Sequence, residues 1–119
     1  MRGSLILIVD DDMVIRRMLR MLLEMTGYAV QEAEDGEDAL GMVAEHHPQA
    51  VVLDVMMPNL DGITVCQRLR SGEETAVLPI IILSGGKYED EALAAGANMY
   101  MEKPMNTDKL LAALAEYTK

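Results

Sequence analysis

The stretch Leu5-Ile6-Leu7-Ile8-Val9-Asp10-Asp11-Asp12 decides the fold, because an unbroken apolar run of strand length ends in three acids. Such a run is typical of a strand that is buried on both faces of a parallel sheet. Three later apolar runs also end near a polar residue suited to phosphate chemistry: residues 50–53 before Asp54, 80–83 before Ser84, and 98–101 shortly before Lys103. Because parallel strands share one carboxyl edge, where open α/β sheets bind ligands, we expect these side chains to meet.

The segments between these runs alternate helix and strand signals. Asp12 is a suitable N-cap for a first helix, which has apolar residues at helical spacing and ends at Gly27. The further predicted elements are an outer strand over residues 28–33, a helix from Asp35 to about His46, a helix ending near Arg70, a short helix over residues 89–95, and a last helix capped by Asn106. This alternation predicts an α/β fold with a doubly wound five-stranded parallel sheet covered by helices on both faces. Gly62 lies in a turn-rich loop before the third helix and is able to take a positive φ.

The chain length of 119 residues suits one domain. We expect a single domain over residues 5–119, preceded by residues 1–4, Met-Arg-Gly-Ser, which resemble an added leader. No apolar run is long enough to span a bilayer, and the acids at 10–12 interrupt the N-terminal run, so neither a membrane span nor a signal peptide is expected. The single cysteine, Cys66, fits a reducing, cytoplasmic compartment.

The composition limits the classes of partner. The formal net charge of −10 would repel nucleic acid, so direct nucleic-acid binding is not expected. The chain has 11 Met residues and neither Phe nor Trp. Because Met fills irregular gaps, we expect these residues to replace aromatic side chains in the core.

The polar residues at the strand ends suit metal-assisted phosphoryl chemistry. Asp10, Asp11 and Asp54 offer the hard oxygen ligands that Mg²⁺ prefers. Three neighbouring carboxylates repel one another, so at least one raised carboxyl pKa is expected when no metal is bound. A carboxylate can also attack a phosphoryl group. Lys103 and Ser84 could then contact the oxygens of the transferring group, whose charge must be neutralised.

Four motifs at these strand ends strongly resemble the receiver domain of bacterial two-component response regulators. They are residues 7–12, 53–62, 82–84 and 100–104, and the similarity extends from about Leu5 to Tyr117. All four occur in order and at strand ends, which makes the match specific. The resemblance implies a flavodoxin-like three-layer sandwich with strand order 2-1-3-4-5.

The resemblance also implies roles for individual residues. Asp54 would accept a phosphoryl group from a phosphohistidine on a sensor histidine kinase or a histidine phosphotransfer protein. Asp11, Asp54 and the backbone carbonyl of Met56 would ligate Mg²⁺, or Mn²⁺ in its place. Asp10 would act through a coordinated water, and Lys103, aimed inward by a cis bond to the following proline, would pair with the phosphoryl group. The domain would catalyse its own phosphorylation and dephosphorylation without being a metabolic enzyme.

The family's switch couples Ser84 to Tyr100. The Ser84 hydroxyl would move toward the phosphoryl group, and the Tyr100 ring would turn inward to fill the vacated space. The switched domain would then bind a downstream protein target or output domain, or form a phosphorylation-dependent dimer.

The chain departs from the family pattern in two ways. The stretch from Ser84 to Tyr100 is about three residues shorter than usual, close to one helical turn, which predicts a short fourth helix or a tight loop before it. Gly85 and Gly86 predict a mobile loop, which could weaken the switch or admit water to an acyl phosphate.

The residues argue against two other functions and leave a third open. A haloacid-dehalogenase-like phosphatase normally needs a second Asp two residues after the nucleophile, where this chain has Met56. A flavodoxin-type flavin module needs a Ser-, Thr- or Gly-rich loop after the first strand, where this chain has acids that would repel the cofactor phosphate. The remaining alternative is a receiver-like interaction domain of a larger hybrid kinase or regulator that is not necessarily phosphorylated.

Overall fold

A computed structural model describes residues 3–119, so Met1 and Arg2, which belong to the expected leader, lie outside the described residues. The strands are β1 (Leu5–Val9), β2 (Ala29–Ala33), β3 (Ala50–Asp54), β4 (Ile80–Ser84) and β5 (Met99–Glu102). The helices are α1 (Met13–Met25), α2 (Gly36–His46), α3 (Gly62–Ser71), α4 (Glu89–Ala94) and α5 (Thr107–Tyr117). Every strand pairing is parallel, and the order is β2-β1-β3-β4-β5, which confirms the predicted topology.

Alternate residues of the central strands supply two separate cores, one on each face of the sheet. Leu7 and Leu53 lie in the core that α2, α3 and α4 cover, whereas Ile6 and Val52 lie in the core that α1 and α5 cover. Residues on β3 and β4 are buried throughout, as expected for strands covered on both sides. The result is the expected three-layer sandwich.

Polar caps begin four of the helices. The side chains of Asp12, Asp35, Asp61 and Asn106 accept hydrogen bonds from backbone amides in the first turns of α1, α2, α3 and α5. Each cap satisfies amides that have no partner within the helix. The caps predicted at Asp12, Asp35 and Asn106 are confirmed, and α4 is short, with six residues.

Gly62 allows a close approach of backbones and does not use its freedom to take a positive φ. In this loop the left-handed residue is Asn59, with φ 69°. A Cβ at Gly62 would instead overlap the carbonyl oxygen of Asp54. Glycine therefore allows the start of α3 to pack directly against the backbone of the candidate phosphoacceptor.

The prediction that methionine fills the core is wrong for α1. Met57 and Met101 are buried, but Met13, Met18, Met21, Met25 and Met56 are each more than half exposed. Only Leu19 and Leu23 of α1 are fully buried, so the helix covers the sheet through a narrower face than its apolar content indicated. Val14, Met18, Met21 and Met25 form an outward row, which we name the methionine stripe.

No helix within residues 3–119 combines the length and the apolar character needed to cross a membrane.

Candidate functional site

The sheet gathers the predicted polar residues at its carboxyl edge. Val9 lies opposite Leu53 across β1 and β3, so Asp10 and Asp54 follow side by side. Asp54 and Ser84 are the last residues of β3 and β4, and Lys103 follows β5 directly. Asp10, Asp54 and Lys103 line an open cleft of about 460 Å³.

Three carboxylates converge in this cleft. One ligand oxygen from each of Asp10, Asp11 and Asp54 lies within 4.8 Å of the others. Asp10 and Asp54 are buried, at 3% and 4% exposure, whereas Asp11 is exposed. Asp10 is held by the backbone amide of Asp12, which donates to its Oδ1 at 2.9 Å.

Lys103 places one ammonium between two of the acids. Its Nζ lies 2.8 Å from Asp10 Oδ2 and 3.3 Å from Asp54 Oδ1. The Lys103–Pro104 bond is cis, as the resemblance implied, and the Lys103 amide donates to the Ser84 carbonyl at 2.8 Å. The side chain is therefore fixed at the end of β5, with its charge inside the cleft.

The site destabilises the charge on Asp54. Burial raises the pKa of Asp54, and the negative charge of Asp10 raises it further, despite opposing contributions from Lys103 and the Met56 backbone. Burial alone would lower the pKa of Lys103, but its hydrogen bond and attraction to Asp10, together with Asp54, raise that pKa. The expected raised carboxyl pKa is therefore confirmed at Asp54, and Lys103 remains charged.

The residues present fit a divalent cation. All three donors are carboxylates, which are hard oxygen ligands, and one ammonium leaves their combined charge incompletely balanced. Within the described residues, no hydrogen bond or ion pair occupies the Asp11 side chain, so its oxygens remain available. The backbone carbonyl of Met56 as a further ligand stays a prediction.

Ser84 and Tyr100 contact the same loop after β4. Ser84 is fully buried, and its Oγ accepts a hydrogen bond from the Gly86 amide at 3.0 Å. The Tyr100 hydroxyl donates to the Gly86 carbonyl at 2.6 Å and accepts from the Tyr88 amide at 3.0 Å. Tyr100 is partly buried against the core that α2, α3 and α4 cover. The inward turn expected of its ring on phosphorylation stays a prediction, with the ring starting from this partly buried position.

Tyr88 is a cleft residue that sequence reasoning missed. It lines the cleft, and its hydroxyl donates to the Met56 Sδ at 3.2 Å across the opening between two loops. No periodicity or motif marks Tyr88, because its position depends on how the short loop after β4 folds back. Its only sequence signal is Gly86, because the missing side chain at that position leaves room for the Tyr88 ring.

Sequence comparisons agree with this architecture. The family model described as the response regulator receiver domain matches residues 6–115. Response regulator MprA of Mycobacterium sp. (strain KMS) is 46% identical over 112 residues, which cover 92% of this chain and 48% of that protein. The chain therefore spans about half the length of the curated relatives it matches.

Solved structures show the same fold. A putative response regulator from Chloroflexus aurantiacus J-10-fl has 35% sequence identity and a TM-score of 0.92, with 98% of both chains covered. The receiver domain of sensor histidine kinase PA1611 from Pseudomonas aeruginosa PAO1, which has a magnesium ion coordinated in its active site cleft, has 28% identity and a TM-score of 0.90, again with 98% of both chains covered. With the matched family model and the acidic cleft at the carboxyl edge, these findings show that the chain belongs to the response regulator receiver domain family of two-component systems.

Proposed function

We propose that this receiver domain accepts a phosphoryl group on Asp54 from a phosphohistidine of a sensor histidine kinase or histidine phosphotransfer protein. The observation that carries the proposal is the position of Asp54, which is buried at the end of β3, 3.3 Å from the Lys103 ammonium and beside two further carboxylates. This arrangement holds a nucleophile together with the positive charge that a phosphoryl group requires.

Asp54 suits the nucleophilic role better than its neighbours. Both oxygens of Asp10 are engaged, one by the Asp12 amide and the other by the shorter contact with Lys103. Asp11 is exposed and, among residues 3–119, forms no ion pair within 4.0 Å. We therefore assign metal binding to Asp11, with Asp10 acting through water, and covalent chemistry to Asp54.

The reaction exchanges one phosphoryl bond for another. An ionised Asp54 oxygen forms a bond to phosphorus while the bond from phosphorus to the histidine nitrogen breaks, and the nitrogen keeps the electron pair. Lys103 and Ser84 contact phosphoryl oxygens in the product. Asp11, Asp54 and the Met56 carbonyl would hold Mg²⁺, or Mn²⁺, which when bound supplies positive charge to the phosphoryl oxygens.

The donor protein is proposed to bind beside Lys103. An apolar groove of about 510 Å³ runs between α1 and the loop after β5, and Ile15, Met18 and Met105 line it together with Lys103. A helical domain that carries the phosphohistidine could bury these side chains while its imidazole enters the cleft. The groove therefore joins an apolar contact surface to the reacting atoms.

Phosphorylation is proposed to act through Ser84 and Tyr100. The Ser84 hydroxyl now accepts from Gly86 and would exchange this contact for the phosphoryl group. Replacing Tyr100 with Ala should weaken phosphorylation-dependent binding to a downstream target or output domain, whereas unchanged binding would contradict the switch role.

A second function is a receiver-like interaction domain within a larger hybrid kinase or regulator, not necessarily phosphorylated. This alternative stays open because the chain spans only about half the length of the curated relatives it matches. Four further points stay predictions. They are a domain over residues 5–119 with a leader over 1–4, a cytoplasmic location, dimer formation on phosphorylation, and no direct nucleic-acid binding.

The deciding experiment is incubation with Mg²⁺ and acetyl phosphate, followed by intact-mass measurement. Wild type should gain one base-labile phosphoryl group, and Asp54→Asn should gain none. A wild-type chain that stays unmodified in this assay would contradict phosphorylation of Asp54 and favour the interaction domain.

A further inference from the structure

We infer that Tyr88 is a positioning residue that closes the α4 side of the phosphoryl site and limits the access of water to phosphorylated Asp54. This inference rests on the proposed phosphorylation of Asp54. It concerns how long the phosphoryl group survives on Asp54. The mobile loop expected at Gly85 and Gly86 would have the opposite effect, because it would admit water to the acyl phosphate.

The first support is a direct contact across the cleft. Met56 belongs to the loop after β3, and Tyr88 belongs to the loop after β4. The Tyr88 hydroxyl donates to Met56 Sδ at 3.2 Å, and both residues line the cleft that contains Asp54. This contact joins the two loops on one side of the phosphoacceptor.

The second support is the way the Tyr88 ring is held. The ring lies against Gly86, where a Cβ would come within 2.5 Å of Tyr88 Cε2. The backbone of Tyr88 is also fixed, because its amide donates to the Tyr100 hydroxyl at 3.0 Å. Gly86 and Tyr100 therefore determine where the Tyr88 ring lies, and the ring forms part of the cleft wall.

The third support is a connection to the reacting group. The Gly86 amide donates to Ser84 Oγ, and Ser84 is proposed to contact the phosphoryl oxygens. A phosphoryl group that draws Ser84 away would release the Gly86 amide directly beneath the Tyr88 ring. Gly86 therefore connects the Tyr88 ring to Ser84, the proposed phosphoryl sensor.

The step that Tyr88 limits is hydrolysis. A water oxygen attacks phosphorus, the bond from phosphorus to the Asp54 oxygen breaks, and Asp54 recovers its carboxylate. Both protons of the water leave with inorganic phosphate. The ring and the Met56 side chain line the cleft that contains Asp54, so they reduce the space open to that water.

The experiment measures the decay of phosphorylated protein after removal of acetyl phosphate, by intact mass. Tyr88→Ala should shorten the lifetime the most, because it removes the ring. Tyr88→Phe should shorten it by about two- to tenfold, the effect of losing one hydrogen bond. Lys87→Ala, at an exposed position in the same loop, should match wild type.

A double-mutant cycle separates this contact from general loosening of the loop. Met56→Leu keeps apolar bulk but removes the sulfur acceptor, so it should shorten the lifetime as Tyr88→Phe does, and the double variant should decay no faster than either. Gly86→Ala, which displaces the ring, offers an independent route to the same faster decay if Tyr88→Ala does not fold.

The outcomes distinguish the two proposals. If wild type is phosphorylated but Tyr88→Phe, Met56→Leu and Gly86→Ala all decay at the wild-type rate, the role of Tyr88 is wrong and the proposed function stands. If the effects of Tyr88→Phe and Met56→Leu on the lifetime simply add in the double variant, the contact between the two side chains is not the cause. If wild type never forms the adduct, the proposed function fails, and this inference fails with it.

Discussion

Asp54 is held in surroundings that disfavour its negative charge. Its raised pKa means that the folded chain binds a proton on this carboxyl more readily than the unfolded chain does. Between the unfolded and folded pKa values, the folded state binds more protons, so stability falls as pH rises through this window. Above this window the domain is therefore less stable than it would be with an ordinary pKa at Asp54.

Replacing Asp54 with Asn should consequently stabilise the protein at pH 7. We expect a rise in Tm of about a few degrees, since roughly 1 kcal/mol shifts the Tm of a small domain by that amount. The gain should shrink as the pH is lowered through the raised pKa, because wild type is then protonated too. Thermal unfolding across pH measures both effects.

Asp108→Asn, at an exposed position in the first turn of α5, is the matched control. It should show no such gain. A lower Tm for Asp54→Asn at pH 7 would mean that the lost contact with Lys103 outweighs the relief of charge.

Among the described residues, Lys103 is the cation that pairs with Asp54, at 3.3 Å. Lys103→Met should lower the rate of phosphorylation by acetyl phosphate about 100-fold, the usual effect of losing one electrostatic contact to a transition state. Lys103→Arg should recover only part of the rate, because a planar guanidinium does not replace a point charge between two carboxylates. A rate within threefold of wild type for Lys103→Met would contradict this role.

At the scale of elements, the contact of α3 with β3 fixes the acceptor. A Cβ at Gly62 would overlap the Asp54 carbonyl oxygen, so Gly62→Ala must push α3 away from the strand. We expect a loss of about 1–3 kcal/mol of unfolding free energy, as for an overpacked core, together with slower phosphorylation. Denaturant unfolding gives the first quantity.

Gly41→Ala supplies the opposite result. Gly41 is exposed within α2, and nothing lies within 4 Å of an added Cβ. Alanine there should stabilise the domain by about 0.5–1 kcal/mol, because it is the better helix former. If Gly62→Ala raises the unfolding free energy as Gly41→Ala does, the packing explanation for Gly62 is wrong.

The central strands β1, β3 and β4 were predictable because their burial on both faces leaves an unbroken apolar run. Asp12, Asp35 and Asn106 could be identified as N-caps because they act through local hydrogen bonds. The exposure of Met18 was not, since helical periodicity does not show how wide a face the sheet can cover. The contact of Tyr88 with Met56 was also hidden, because it joins loops 32 residues apart.

At the scale of the whole molecule, the fold brings acids from β1 and β3 together before any cation is bound. Mg²⁺ should therefore stabilise the folded state, by about 2.7 kcal/mol when its concentration is 100 times the dissociation constant. The measurement is the Tm across a MgCl₂ titration, with NaCl at matched ionic strength to correct for screening of the net charge of −10. Asp11→Asn should weaken the response, and equal responses to both salts would contradict a specific cation site.

The methionine stripe has a chemical consequence beyond its shape. Peroxides convert an accessible thioether into a polar sulfoxide. The more than half-exposed Met18, Met21 and Met25 should react before the buried Met57 and Met101. Oxidative damage to this domain will thus accumulate early on the outer face of α1, next to the groove where a phosphodonor is proposed to bind, and at the exposed Met56 beside the cleft.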